Sequence, residues 1–275
     1  MYEFTIHGTR GTLAACGAEY LGYGGNTTCF SMRSDRGWLI IDAGSGISHI
    51  SEHLRGMHNP PPITILFTHF HIDHVIGLPC FEPLYRSQTD MSIYADPCRQ
   101  VPWRDCLRTF MGKPFWPVGL GEAPAHARLI DLPRKDECMD IFGMHVTWCD
   151  VPHPQQCVAY RIDVPGWSVV VATDVEFQGQ EELPGAFRAF SRNADYALID
   201  AQFTPEEYEH HRGWGHGTWK TAVAAVQQCN VKQAVLIHHA PERSDAEIRN
   251  IQDIARRTCP NVIAGAQGMS WSGPA

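Results

Sequence analysis

Thr68-His69-Phe70-His71-Ile72-Asp73-His74 follows directly on the apolar run ITILF at positions 63–67. That run has the length and β-branched content of a buried strand, so the polar heptapeptide should form the turn at its carboxyl end. One histidine in a loop is usually structural. Three imidazoles and a carboxylate between positions 69 and 74 are a different matter, because neutral nitrogen and anionic oxygen donors in one turn can converge on a divalent metal.

Working outward, short apolar or β-branched runs recur at 2–6, 38–42, 92–95, 145–148, 158–162, 168–172, 196–199 and 234–237, and each reads as a strand. Helical patterns fall between and after them, most clearly at 218–229 and 245–258. The latter opens with Ser244 and Glu247 at capping-box spacing and sets Ile248, Ile251 and Ile254 or Ala255 on one face. Alternating strands and helices place the chain in the α/β class. No internal repeat, low-complexity tract or linker marks a boundary, so residues 1–275 are expected to form a single domain. The stretch from about 100 to 133 is rich in Pro, Gly and aromatics (Trp103, Phe110, Phe115, Trp116) and reads as a helix followed by a long loop. It suits a lid, a dimer contact, or a surface excursion packed by its own aromatics.

Composition narrows the function. With 44% hydrophobic and 19% charged residues, the chain lies outside the disordered, fibrous and membrane classes. Its 22 Lys plus Arg against 30 Asp plus Glu give a formal charge of -8, so the surface should repel a long nucleic acid, and no Lys/Arg run is present to track a phosphate backbone. A small anion meeting bound metal ions faces no such objection. The start, Met1-Tyr-Glu-Phe-Thr-Ile-His-Gly, has no basic segment followed by an apolar core, and no run approaches membrane-spanning length; a cytoplasmic protein with no membrane partner is expected. Ten scattered cysteines without a C-x-x-C pair indicate neither a zinc ribbon nor a disulfide scaffold.

The motif His69, His71, Asp73, His74 resembles the H-x-H-x-D-H signature of the metallo-β-lactamase superfamily, and the resemblance extends over nearly the whole chain. It implies a four-layer αββα sandwich in which later strand ends complete a metal site. His153, just past the run at 145–148, takes the place of the third histidine, and Asp174, after Ser168-Val-Val-Val-Ala-Thr, that of the bridging acid. The last ligand should follow the run at 234–237, where His238 and His239 are adjacent; His238 aligns with the single histidine of ribonuclease-Z-like members, leaving His239 a supporting role. The resemblance thus implies two divalent ions, one held by His69, His71 and His153, the other by Asp73, His74 and His238, with Asp174 on both. Such a set suits a bridging hydroxide, with zinc preferred and manganese or iron compatible. Asp174 replaces the cysteine found near this position in many true β-lactamases, and His71 replaces the glutamate of flavo-diiron proteins.

Gly213-Trp-Gly-His216-Gly-Thr218-Trp resembles the Gly-His-Ser-Thr segment of ribonuclease-Z-like phosphodiesterases, with Gly217 in place of Ser. In those relatives the histidine pairs with a strand-end acid, here Asp200 after the run at 196–199, with Asp where ribonuclease Z would have Glu. A carboxylate beside imidazole favours imidazolium, which can contact phosphate and protonate a departing alkoxide, and the helix start after His216 offers amides to an anion. The glycines around Gly8-Thr-Arg10-Gly-Thr and Tyr23-Gly-Gly-Asn26 permit a tight hairpin, with Asn26 bracing the metal loop; Asp42-Ala-Gly-Ser-Gly matches the strand-to-helix turn that follows the third strand, a structural role. The expected function is a binuclear phosphodiesterase acting on a small phosphodiester such as a cyclic nucleotide, with Asp73, His216 and Asp200 catalytic. Hydrolysis of a lactam, lactone or thioester, and ribonuclease activity, are the alternatives. Resemblance to small phosphodiesterases also implies a homodimer.

Overall fold

The apolar runs become strands because both of their faces meet apolar partners. The computed structural model describes residues 1–97, 101–177 and 181–273, so Gln100, at the start of the aromatic stretch, lies outside the described residues. The first sheet contains β1 (Glu3–Gly8), β2 (Cys29–Arg33), β3 (Trp38–Ile41), β4 (Ile63–Leu66), β5 (Met91–Ala95) and β6 (Arg128–Asp131). The second contains β7 (Met139–Ile141), β8 (Met144–Val151), β9 (Cys157–Val164), β10 (Trp167–Ala172), β11 (Tyr196–Asp200), β12 (Gln233–Ile237) and β13 (Val262–Ala264), while β14 (Ser270–Ser272) returns to the first sheet beside β1. Strands β3 to β6 are mutually parallel, as are β10 to β13; the remaining neighbours are antiparallel.

Helices cover the outer faces: α1 (Ile47–Leu54), α2 (Ile72–Val75) and α3 (Trp103–Phe110), then α4 (Gly185–Ser191), α5 (Pro205–Tyr208), α6 (Trp219–Cys229) and α7 (Asp245–Thr258). Three apolar clusters fill the spaces between layers. Leu39 and Ile41 of β3 point inward to meet Val169, Val171 and Leu198 of the second sheet. Their neighbour Ile40 points outward with Ile65 and Ile93, onto Ile47 and Ile50 of α1 and Leu107 of α3. On the far side Val170, Ala172 and Ile199 pack against Ala222 and Ala225 of α6 and Phe187 of α4. These are the four layers of the αββα sandwich that the resemblance implied. No helix among the described residues is long and apolar enough to cross a membrane.

Every run read as a strand lies in one, apart from end residues such as Tyr2, Asp42 and Phe67. The sequence reading omitted β2, β6, β7, β13 and β14; β6 and β14 lack a fully buried residue, and β7 and β13 are three residues long, so neither carries a measurable period. The aromatic stretch is more ordered than a helix and a loop, because Trp103, Leu107 and Met111 recur every fourth residue and lie buried on the first sheet, and β6 extends that sheet. Trp103 Nε1 donates to Asp131 Oδ1 at 2.7 Å, whereas Phe115 is 68% exposed.

The sheets are fastened to each other beside the histidine motif. Tyr160 of β9 donates its hydroxyl to the Phe67 carbonyl at 2.7 Å, and the Val158 amide donates to the Thr68 carbonyl at 3.2 Å. Tyr160→Phe is therefore expected to lower unfolding free energy by about 1–2 kcal/mol in urea titration, since the buried carbonyl loses a donor. A second prediction concerns His7, whose pKa burial pushes down to about 3, with His49 and His53 adding to the effect. Below about pH 6.5 the unfolded chain binds a proton there that the folded chain refuses, so this contribution to stability is complete above pH 6.5 and is lost as pH falls toward 3. His7→Gln should flatten that part of the stability profile measured by urea titration at several pH values.

Candidate metal centre

The sequence places polar residues at the carboxyl ends of parallel and antiparallel strands, and the two sheets bring those ends together. β4 delivers His69 and His71, and α2 begins inside the motif, so Asp73 and His74 sit on its single turn. From the second sheet come His153 after β8, Asp174 after β10, Asp200 as the last residue of β11 and His238 directly after β12. Asp42, Asp174 and His238 adopt left-handed backbone with φ of 58°, 54° and 60°. That conformation costs a non-glycine residue about 1–3 kcal/mol, and here it turns each side chain from the strand end into the site. It also decides between the adjacent histidines. β12 stops at Ile237, and the left-handed turn at His238 aims that ring inward while His239 Nε2 reaches the Gly265 carbonyl at 3.0 Å.

Three overlapping donor groups result among the described residues, the third made of Asp174, Asp200, His216 and His238. One atom from each of His69, His71, His153 and Asp174 lies within 4.8 Å of the others, and the same holds for Asp73, His74, Asp174 and His238. His71 Nδ1 is 2.9 Å from His69 Nε2 and 3.2 Å from His153 Nε2. Asp174 stands between the groups: Oδ1 is 3.6 Å from His69 Nε2 and 3.3 Å from His238 Nε2, and Oδ2 is 3.1 Å from His74 Nε2. Asp73 Oδ2 is 3.3 Å from His74 Nε2 and 3.1 Å from His238 Nε2. Tetrahedral ligands about 2.0–2.1 Å from zinc stand about 3.3 Å apart, so these spacings are those of a coordination shell. A second observation agrees. His74 Nε2 is fully enclosed and makes no hydrogen bond, although two carboxylates lie nearby, leaving it aimed at the space between them.

The opposite ring nitrogens are held from outside, which fixes ring orientation and tautomer. His74 Nδ1 donates to Asp42 Oδ2 at 2.7 Å, His153 Nδ1 to the Gly215 carbonyl at 3.0 Å, and His238 Nδ1 to Gln202 Oε1 at 2.9 Å. Asp42 also accepts from the Thr68 amide and hydroxyl, both at 2.8 Å. Gly215, at φ 92°, packs so closely that a Cβ would stand 2.2 Å from His153 Nδ1. Burial opposes charge on Asp174, yet His238, His74 and His69 outweigh it and hold that carboxyl well below the usual carboxylate range. Asp73 is likewise held low, against its burial, by His74 and His238. Burial pushes His69 well down, whereas Asp174, Asp73 and Asp42 overcome burial at His74 and raise it. His238 rises to about 9 for the same kind of reason, burial being outweighed by Asp174, a hydrogen bond donated to Asp73, and Asp200.

The nine candidate ligand and catalytic residues, His69, His71, Asp73, His74, His153, Asp174, Asp200, His216 and His238, meet at this place. Asp200 Oδ2 accepts from His216 Nδ1 at 2.8 Å and its Oδ1 from the Gly217 amide at 3.0 Å. The His216 ring stacks on His238, centroids 4.8 Å apart at 18°. Two expectations change. Asn26 does not brace the motif: its side chain meets Ser45 and His49, and the amide that reaches Asp73 Oδ2, at 2.9 Å, is that of Thr12. At the start of α6 the Thr218 hydroxyl takes the Lys220 amide at 3.2 Å, so that donor is not open to an anion. Asp42 has a larger part than the turn assigned to it. The signal was present in the sequence, since Asp42, Asp174 and Asp200 all close fully apolar runs.

Comparison with known proteins agrees with this geometry. Residues 37–239, a span containing every site residue from Asp42 to His238, match the model of the beta-lactamase superfamily domain. A ribonuclease Z of Lachnospira eligens is 25% identical over 218 residues, covering 75% of this chain and 62% of that protein, so the chain spans about three fifths of that relative's length. Among solved structures, the metallo-beta-lactamase fold protein YhfI from Bacillus subtilis superposes with a TM-score of 0.75 at 18% identity, covering 99% of both chains. A diphosphatase from the PhnP family superposes with a TM-score of 0.70 at 16% identity, covering 100% of this chain and 98% of that one. Fold, motif and family model coincide: the chain belongs to the beta-lactamase superfamily.

Proposed function

We propose that the chain is a binuclear metal-dependent hydrolase that cleaves small phosphodiesters, with cyclic nucleotides among the preferred substrates. The observation that carries this reading is the His216–Asp200 pair, 2.8 Å apart and stacked against His238 at the edge of two donor groups that share Asp174. His69, His71 and His153 would hold one ion, Asp73, His74 and His238 the other, and Asp174 both. Five imidazoles and two carboxylates suit zinc, and the nitrogen and oxygen donor set also accepts manganese or iron. When bound, such a pair supplies a nucleophilic water at neutral pH and neutralises charge on phosphoryl oxygens.

The chain's own residues do the rest. Asp73, whose Oδ2 accepts from the Thr12 amide at 2.9 Å, would bind metal and also orient the attacking water. Asp200 holds His216 through Nδ1, which leaves Nε2 to carry a proton to the departing oxygen. The His216–Asp200 pair resembles that of ribonuclease-Z-like phosphodiesterases, and a charge of -8 opposes a long polyanion, so a small phosphodiester is the reading the residues favour. The ribonuclease Z relative supports the same bond type; cleavage of RNA by this chain would show itself as binding at low salt that vanishes steeply as salt rises.

The test is hydrolysis of bis-(p-nitrophenyl) phosphate, set beside nitrocefin and a thioester, with metal content measured on the same samples. Asp174→Ala should lose both metal and activity. His216→Ala should lower kcat by about 10²–10⁴-fold while metal content stays unchanged. Loss of metal from His216→Ala would instead make His216 a ligand, an arrangement its proximity to Asp174, Asp200 and His238 makes the natural rival.

A further inference from the structure

Beside His153 opens a cavity of about 630 Å³, within the range of small-molecule sites and large enough for a nucleoside. His153, one of the candidate metal ligands, forms part of its wall, so the cavity adjoins the metal centre. Its lining is mostly apolar: Pro152, Pro154 and Pro184, with the buried aromatic rings of Phe177 and Tyr208. Such walls favour the faces of a planar ring over a flexible or charged chain.

Charge sharpens the selection. The lining carboxylate, Glu176, is already engaged, accepting from the Tyr208 hydroxyl at 2.8 Å and from the amides of Gly213 and Gly215 at 2.7 Å each. Arg212 is paired with Glu209 at 2.8 and 3.0 Å and lies over the Tyr208 ring, 5.2 Å from its centroid. The described lining holds one guanidinium, Arg212, and one carboxylate, Glu176, and Arg212 is already paired with Glu209 outside it, so the lining offers no unpaired cation to a second phosphate or a carboxylate on the substrate. The wall is also preformed. Glu176 pins the loop through Gly213 and Gly215, its own amide bonds the Pro152 carbonyl at 2.9 Å, and the Gly215 carbonyl in turn takes His153 Nδ1. Ligand and pocket wall are thus one hydrogen-bonded unit, and little ordering remains for a substrate to impose.

We propose that this cavity is the subsite for an uncharged ester arm bearing a nucleobase. The assignment rests on the phosphodiesterase reading, and it narrows the substrate to diesters whose only anionic group is the one being cleaved. Three substrates with the same leaving group test it: methyl p-nitrophenyl phosphate, thymidine 5′-(p-nitrophenyl phosphate), and the latter carrying an additional 3′-phosphate. The thymidine ester should have a KM roughly tenfold or more below that of the methyl ester, as ring stacking commonly yields, and the 3′-phosphate should abolish the advantage. Pro154→Trp, a change at an exposed rim position, should bring the thymidine-to-methyl ratio toward one. Calorimetric titration of the metal-free protein with thymidine supplies a readout independent of turnover, and binding should weaken in the same variant. Equal KM values across the series, preference for the 3′-phosphate, or a ratio untouched by Pro154→Trp would overturn the subsite. Thymidine binding without cleavage of any diester would uphold the subsite and remove the phosphodiesterase reading; cleavage without ring preference would do the reverse.

Discussion

A buried carboxylate surrounded by imidazoles governs this structure. Asp174 is 1% exposed, and a charge so placed is costly unless opposite charge or strong donors surround it. His69, His74 and His238 stand within 3.6 Å of its oxygens, one pair contributed by the first sheet and the third ring by the second. No single element could supply them. The sandwich must close with the ends of β4, β10 and β12 facing one another, and the inter-sheet bonds from Tyr160 and Val158 to the end of β4 hold that closure where the donors meet.

Around this centre the protein accepts local strain to keep geometry. Left-handed backbone at Asp42, Asp174 and His238 is unfavourable for residues with a Cβ, and it persists because the flanking strands are buried on both faces and leave little freedom. Asp42, Gln202 and the Gly215 carbonyl then fix three rings from behind, so the inward nitrogens are aligned before any ion arrives. Electrostatics follow the same plan, since the carboxyls are held anionic by the same imidazoles that would share the metal with them.

Much of this was legible in the sequence, for reasons that differ from residue to residue. His69, His71, Asp73 and His74 are contiguous, and their clustering after an apolar run speaks for itself. His153, Asp174, His238, His216 and Asp200 each look like ordinary turn or strand-end residues; only resemblance to a known order of motifs assembled them, and the structure brings them together. Glu176, Gln202 and the Gly215 carbonyl left no local trace, because their partners lie 39, 36 and 62 residues away in sequence. Asp42 was visible but undervalued, its pairing with His74 spanning 32 residues. The short edge strands and the buried aromatic helix α3 were missed or underrated for the converse reason: their patterns are brief, and packing rather than propensity decides them.

The central claim is that two donor groups share Asp174 while His216 stays outside them. Anomalous diffraction from zinc-loaded crystals tests it directly. The account predicts two zinc peaks, each within about 2.0–2.2 Å of its own histidines and both bonded to Asp174, with His216 still on Asp200. A single peak, or a peak bonded to His216, would contradict it.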